Sequence, residues 1–203
     1  MNAFRLFLAS LPLALLALNG CAFGGGDIQQ NYVLPVPTIE TSGKPLPLNM
    51  QVMPVEVATG LDTTRIALIE NDVQMNYLAD SRWAEPLPQM LQDLWAEALK
   101  QSRLTASVSS DETGAKADRL IHIKANAFNA VRNANGDIVV HIDYEAKVLA
   151  PLTRAVLSVE EVNIEQKAPS PGQDSVMRTF NTANATAMRK LMQKLSIGIK
   201  KAY

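Results

Sequence analysis

Apolar and polar residues alternate along two neighbouring stretches in the middle of the chain, RLIHIKANAFNAVRN (119–133) and DIVVHIDYEAKVLA (137–150). A period of two is typical of strands that bury one face. Asn135-Gly136 between them favours a tight turn because both residues tolerate a positive φ. We therefore predict an antiparallel hairpin, in a register that pairs Val131 with Val140 and puts the apolar residues on one face.

Two other stretches repeat apolar residues at helical spacing. The first follows Pro86 and Pro88, which are tolerated in a first helical turn, and the second covers residues 174–200. Its apolar stripe contains Val176, Met177, Phe180, Ala183, Ala187, Leu191 and Leu195. Shorter apolar runs predict strands at 49–57, 65–70, 73–78, 104–108 and 154–167. This order predicts an α/β fold of the α+β type, a single mostly antiparallel sheet with two main helices packed on one face.

The N-terminal residues carry a different pattern. Arg5 precedes an apolar run from Leu6 to Leu18, which is too short for a membrane-spanning helix and typical of an export signal. Residues 22–48 hold four of the 10 glycines and four of the 11 prolines, a composition typical of a tether. We therefore divide the chain into a signal peptide (1–20), a lipidated cysteine with a Gly/Pro-rich tether (21–48) and an α/β domain (49–203). Within the tether, Tyr32–Pro35 has the pattern of a short edge strand.

Leu18-Asn19-Gly20-Cys21 resembles a bacterial lipobox, with Asn19 as a departure from the usual small or apolar residue. The resemblance implies that the Cys21 thiol is alkylated by a diacylglycerol and that the new amino group receives an acyl chain such as palmitate. The alternatives are a signal peptide that leaves Cys21 free and a buried cysteine; the three glycines at 24–26 disfavour burial. In such lipoproteins the residue after the cysteine influences sorting, and an Asp there favours retention in the inner membrane. Here the residue is Ala22, so the resemblance implies the periplasmic side of the outer membrane.

Charge and candidate chemistry narrow the function classes. The chain has 19 basic and 20 acidic residues, a formal net charge of −1, which disfavours nucleic-acid binding. His122 and His141 lie on the polar face of the predicted hairpin, His141 beside Asp143 and Glu145. A metal or acid–base site there competes with an ordinary solvated strand face, which we favour. We expect no enzyme activity, no cofactor and no metal.

A second cluster, Tyr77, Arg82 and Trp83, precedes Pro86 and the first predicted helix. One interpretation is structural, with Trp83 in the core at the start of the helix and Arg82 on the surface. The other is a protein-contact patch, because Tyr, Trp and Arg are the usual anchors of protein interfaces. We favour the structural interpretation and keep the patch as a candidate.

The lipobox, NYVLPVPT, Arg65-Ile66, NYLADSRWAEPLPQML and Leu94-Trp95 follow in an order that resembles the ABC-type transport auxiliary lipoproteins. That family includes the lipoprotein of the paraquat-inducible mammalian-cell-entry (MCE) system. The resemblance implies a lipid-anchored outer-membrane subunit with an MCE-domain protein and an ABC transporter as partners, serving lipid or solvent transport. A homo-oligomer is a further candidate assembly. The alternative function is a structural or assembly lipoprotein that supports envelope integrity without a transporter.

Overall fold

The computed structural model describes residues 29–39, 43–71, 73–110 and 116–201, and within them nine strands form one sheet that carries two helices. The strands are β1 (Gln30–Tyr32), β2 (Leu46–Val52), β3 (Glu56–Val57), β4 (Arg65–Glu70), β5 (Gln74–Trp83), β6 (Thr105–Ser109), β7 (Arg119–Arg132), β8 (Ile138–Leu149) and β9 (Val156–Lys167). The helices are α1 (Leu87–Ser102) and α2 (Gln173–Lys201). No helix in these ranges has the length and apolarity required to cross a bilayer.

The long strand β7 organises the sheet. One of its edges pairs with β8, antiparallel, while the other meets β2, β3 and β4 in turn, all parallel. β6 and β1 add further parallel pairs at β2 and β5. The α+β prediction is confirmed, and the sequence neighbours β4–β5, β7–β8 and β8–β9 pair antiparallel. The sheet is nevertheless mixed and not purely antiparallel, because β2, β3 and β4 run parallel to β7.

The β7–β8 hairpin forms as predicted, in a different register. Its turn is closed by a hydrogen bond from the Asn133 N–H to the Asp137 carbonyl (2.9 Å), and Gly136 has a φ of 85°. Val131 therefore pairs with Val139, one residue from the predicted partner, and an irregularity between Ala125 and Ala127 shifts the register again. Hydrophobic patterning fixes the buried face but does not specify the length of the turn or the position of a bulge.

Both helices pack on the same face of the sheet, as predicted, around a cluster of aromatic rings. Trp83 lies edge-on to Phe180 of α2 with centroids 5.4 Å apart, and Trp95 of α1 lies edge-on to Tyr144 of β8, also at 5.4 Å. The Tyr144 hydroxyl donates a hydrogen bond to the Asn184 side-chain oxygen of α2 (2.8 Å). Tyr144 thus contacts both helices. Burial raises its pKa well above the usual value, and the nearby Trp95 indole opposes the rise only in part.

The folded domain starts earlier in the chain than the predicted boundary at residue 49. β1 pairs with β5 as an edge strand, but it shares only Tyr32 with the predicted Tyr32–Pro35, and β2 begins at Leu46. Leu34, Ile39 and Leu48 are buried in the core. Their burial removes apolar surface from water, so most of the described residues between 29 and 48 belong to the domain instead of the tether. Cys21 lies outside the described residues.

Candidate functional site

The segment from β5 to α1 joins several elements through Trp83. The backbone N–H of Trp83 donates a hydrogen bond to the Thr64 carbonyl (2.7 Å), and the backbone N–H of Ala84 donates one to the Tyr32 carbonyl (2.8 Å). The Trp83 ring is 1% exposed. It therefore takes no part in a surface patch, and the structural interpretation holds for this residue. Pro86 follows as the N-cap of α1, where its missing N–H costs nothing because the first turn has no acceptor for it.

Tyr77 and Arg82 remain partly exposed, and Tyr77 has a partner that the candidate patch did not include. The Arg65 guanidinium carbon lies 3.5 Å from the centroid of the Tyr77 ring, a cation–π contact. Arg65 also faces Arg82 across the β4–β5 pair. The predicted pairing of strands 65–70 and 73–78 was the signal in the sequence that could have indicated this contact. Which residues face each other, however, also depends on a register shift between Arg65 and Ala67.

A groove of about 630 Å³ lies beside this contact, and we call it the Arg65–Tyr77 groove. Glu70 in its lining is already engaged, since it accepts hydrogen bonds from Arg132 Nε (2.9 Å) and Asn76 Nδ2 (2.5 Å). The acidic charge of Glu70 is thereby compensated by Arg132. Arg65 contributes an additional positive charge, held in place by the Tyr77 ring. The groove is therefore suited to an acidic or hydrogen-bond-accepting group.

The candidate histidines lie on the face of β7 and β8 that points away from α1 and α2. Asn163 Nδ2 lies 3.0 Å from both Asp143 Oδ2 and His141 Nε2, so Asn163 links the two residues. Glu145 instead forms an ion pair with Lys147 (2.7 Å), and the hydrogen bond to the carboxylate raises the pKa of Lys147. Within the described part of the chain, no three His, Cys, Asp or Glu side chains converge on a possible metal position.

His122 is separate from that network. Its Nε2 lies 3.0 Å from Glu56 Oε1 of β3. The structure thus brings together His141 and Asp143, but places His122 and Glu145 in other pairs. Asn163 of β9 thus bridges a histidine and an aspartate of β8 on one face of the sheet.

Comparison with known families gives a decisive match. The family of ABC-type transport auxiliary lipoprotein components matches residues 32–192. This chain belongs to that family. The match contains Tyr77, Arg82, Trp83 and Pro86, so the structure now explains two of the residues that carried the resemblance: Trp83 is a core residue and Pro86 occupies the N-cap position of α1. Cys21 lies outside the match.

Solved structures share the fold of this family member. A protein from Xanthomonas campestris, XCC0632 of family DUF330, has a TM-score of 0.77 at 18% identity, over 85% of this chain and 97% of that one. An uncharacterized protein has a TM-score of 0.57 at 19% identity, over 78% and 99%. The hypothetical protein CT253 from Chlamydia trachomatis has a TM-score of 0.50 at 7% identity, over 74% and 96%. Comparison with curated proteins finds no match.

Proposed function

We propose that this chain is a non-enzymatic auxiliary subunit of an ABC/MCE-type transport system, anchored in the outer membrane through a lipid on Cys21 and facing the periplasm. The system would move lipids or solvents between membranes. The family match over residues 32–192 is the observation that carries the proposal. The lipobox-like Leu18–Cys21 and the Ala22 that follows it support the anchor and its location.

The position of β1 limits how far the domain can move from the anchor. Gln30, the first residue of β1, is only nine residues beyond Cys21. A fully extended chain of that length spans about 30 Å at most. Two or three acyl chains on the cysteine hold it in the bilayer, because one chain alone binds only marginally. We therefore expect the domain to remain close to the membrane surface.

We assign partner docking to Arg65, Tyr77 and Arg82, which replaces the patch that included Trp83. Arg and Tyr are frequent interface anchors, and the cation–π contact already orders both side chains before binding. The partner that fits is an MCE-domain protein that presents carboxylate or carbonyl oxygens to Arg65. Photo-crosslinking from Tyr77 in the native host should capture it, whereas the same probe at Leu152, an exposed turn residue, should not.

The anchor is tested by Cys21→Ala in the full-length chain. We expect the variant to leave the membrane fraction and appear in the soluble periplasm, if it is exported. Ala22→Asp is the matched variant: it keeps the cysteine, and we expect it to move to the inner membrane. Unchanged outer-membrane fractionation of Cys21→Ala would refute the lipid anchor.

The transporter assignment is tested by recovering the wild-type chain after crosslinking in its host and identifying what comes with it. An MCE-domain protein or an ABC transporter subunit supports the proposal. Recovery of envelope-assembly proteins alone would favour the alternative, a structural lipoprotein that works without a transporter. Arg65→Ala should reduce recovery of the partner without changing fractionation, so the docking assignment and the anchor can fail independently.

A further inference from the structure

The exposed side of α2 concentrates positive charge. The helix has 29 residues, of which Asp174 is the single acidic one. At about 3.6 residues per turn, its basic residues fall on the side that does not pack on the sheet. All of them are exposed: Arg178, Arg189, Lys190, Lys194, Lys200 and Lys201. We call this surface the basic face of α2.

Most of these charges have no acidic partner. Arg178 Nη2 lies 3.9 Å from Asp174 Oδ2, a contact between two largely exposed side chains. Lys194 donates a hydrogen bond to the Glu161 carbonyl, a neutral group that leaves the ammonium charge uncompensated. In the part of the chain that the structure describes, no ion pair involves the other four basic residues of the face. The basic face is thus available to an anionic surface.

The face of the sheet that points away from the helices has a different charge pattern. There Lys147 is neutralised by Glu145 (2.7 Å). Glu161 and Glu165 of β9 add negative charge, because they lie opposite Glu145 and His141 in the β8–β9 register. The formal net charge of −1 therefore conceals a separation, with the cations of α2 on one side of the domain and these carboxylates on the other.

The chain enters the domain beside the basic face. Gln30, the first residue of β1, lines a groove of about 880 Å³ together with Arg178. Val33 lines a second groove of about 290 Å³, again with Arg178. Cys21 lies nine residues before Gln30, a distance of about 30 Å at most along an extended chain. The bilayer that holds Cys21 is therefore within reach of the first turns of α2.

Exposed apolar residues lie near both ends of the basic face. Val33 is 71% exposed in the groove that it shares with Arg178, and Ile197, between Lys194 and Lys200, is 56% exposed. Cations combined with a few exposed apolar side chains are typical of helix faces that lie in the interface of an anionic bilayer. The cations contact the headgroups there, and the apolar side chains reach below them.

We propose that the basic face of α2 lies on the anionic headgroups of the bilayer in which Cys21 is anchored. This inference rests on the lipid anchor of the proposed function and adds an orientation to it. The acyl chains hold the domain near the membrane, and the headgroup phosphates attract the basic side chains. The carboxylates of the opposite face are repelled from the same surface. Contact through α2 therefore turns the face with His141 and Asp143 towards the periplasm.

An acidic protein would match the charges of the basic face as well. The bilayer is favoured because the tether keeps it at a high effective concentration beside the face, whereas a protein has to reach the face by diffusion. The Arg65–Tyr77 groove, to which we assign the protein partner, is lined by residues of β4, β5 and β7 and by none of α2. Both surfaces can therefore be occupied at the same time.

Fluorescence quenching by labelled lipid tests the orientation. The full-length lipidated chain, purified from its host, is reconstituted in phosphatidylcholine vesicles with about a third phosphatidylglycerol. A thiol-linked fluorophore is placed at Ile197→Cys on the basic face or at Asn163→Cys on the opposite face. We expect headgroup-level nitroxide lipids to quench position 197 about threefold more than position 163, and high salt or pure phosphatidylcholine to remove the difference. The parent chain is treated in parallel, because labelling there reports a free Cys21 thiol.

Charge reversal on the same helix provides the matched comparison. Arg189→Glu combined with Lys190→Glu should reduce the quenching at position 197 about twofold or more. Lys44→Glu combined with Lys116→Glu changes the net charge equally at exposed residues outside α2 and should leave the quenching unchanged. Equal quenching at positions 197 and 163, or quenching that the reversal in α2 does not reduce, would overturn the proposal.

Two further readouts separate the anchor from the orientation and the bilayer from a protein. Flotation of each variant with the vesicles reports the anchor: a chain that floats without the difference between positions 197 and 163 refutes the orientation alone, whereas loss of flotation refutes the anchor on which it rests. A photo-crosslinker at Gln193, exposed on the basic face, should form lipid adducts in the host membrane. A protein adduct in their place would show that the face has another occupant and would overturn the assignment.

Discussion

The two faces of β8 show what each side of the sheet contributes. Towards the helices, β8 presents Ile138, Val140, Ile142, Tyr144, Ala146 and Val148, all buried. On the other face lie His141, Asp143, Glu145 and Lys147, all partly exposed. Asn163 of β9 links His141 and Asp143, and Glu145 forms an ion pair with Lys147 on the same strand. The residues alternate along one strand, so their backbones are in nearly the same environment.

The comparison shows that the direction of a side chain from the strand decides its role. Side chains that point towards the helices stabilise the core, whereas those that point away form the polar surface. The helix-covered face removes apolar area from water and allows no unpaired polar atom without cost. On the other face, polar side chains exchange hydrogen bonds with water for surface hydrogen bonds and ion pairs, which contribute little to the free energy of folding. We therefore expect substitutions to divide sharply by face, and five stability predictions test that division. Each is measured as the free energy of unfolding in denaturant.

Trp83→Ala should have the largest effect, a loss of about 3–5 kcal/mol, because it leaves a cavity among rings of the sheet and α2. Trp83→Phe should lose clearly less, since it retains an aromatic ring in the same space. A loss below about 1 kcal/mol for Trp83→Ala would contradict the assignment of this residue to the core.

Gly198→Ala should destabilise the domain by about 2 kcal/mol, because an added Cβ would overlap the Ser158 side chain and push α2 away from β9. Ser158→Gly removes that side chain. The double variant should therefore recover part of the loss, and strictly additive losses would show that the close approach is not the cause.

Tyr144→Phe should cost about 1–2 kcal/mol, since the buried Asn184 side-chain oxygen loses its donor. Tyr77→Phe is the matched control on a partly exposed ring and should change stability by less than about 0.5 kcal/mol. Equal effects at both positions would mean that the buried hydrogen bond does not matter.

The same tyrosine predicts a dependence on alkaline pH. Because its folded-state pKa is raised well above the ordinary value, the folded state keeps the proton that the unfolded state releases. Stability should therefore fall as the pH rises above about 10, the unfolded pKa of tyrosine. Tyr144→Phe should show a shallower fall between neutral and alkaline pH, and an unchanged slope would contradict the shift.

His141→Ala and Asp143→Asn should have the smallest effects, each within about 0.5 kcal/mol, because both residues lie on the open face. They should also leave the function of the full-length chain in its host unchanged, as the proposal of a non-enzymatic role requires. Loss of function without loss of stability would instead support a chemical role for this pair.

The sequence by itself determined the features that rest on periodicity and on local backbone preference. Strict alternation marked the buried face of β8, the 3.6-residue repeat marked α2, and Asn135-Gly136 marked the turn. The lipobox-like residues and the Arg-Trp-x-x-Pro order led to the family that the comparison then matched. These signals are carried by residues that are close together in the chain.

Only the tertiary structure decided which distant segments meet. Parallel pairing of β2, β3 and β4 with β7 leaves no local signature, and neither does the contact of Arg65 with Tyr77. The burial of Leu34 and Ile39 likewise depends on what packs around them. The physical reason is that side-chain periodicity reports which face is buried, whereas strand order and register depend on contacts between residues far apart in sequence.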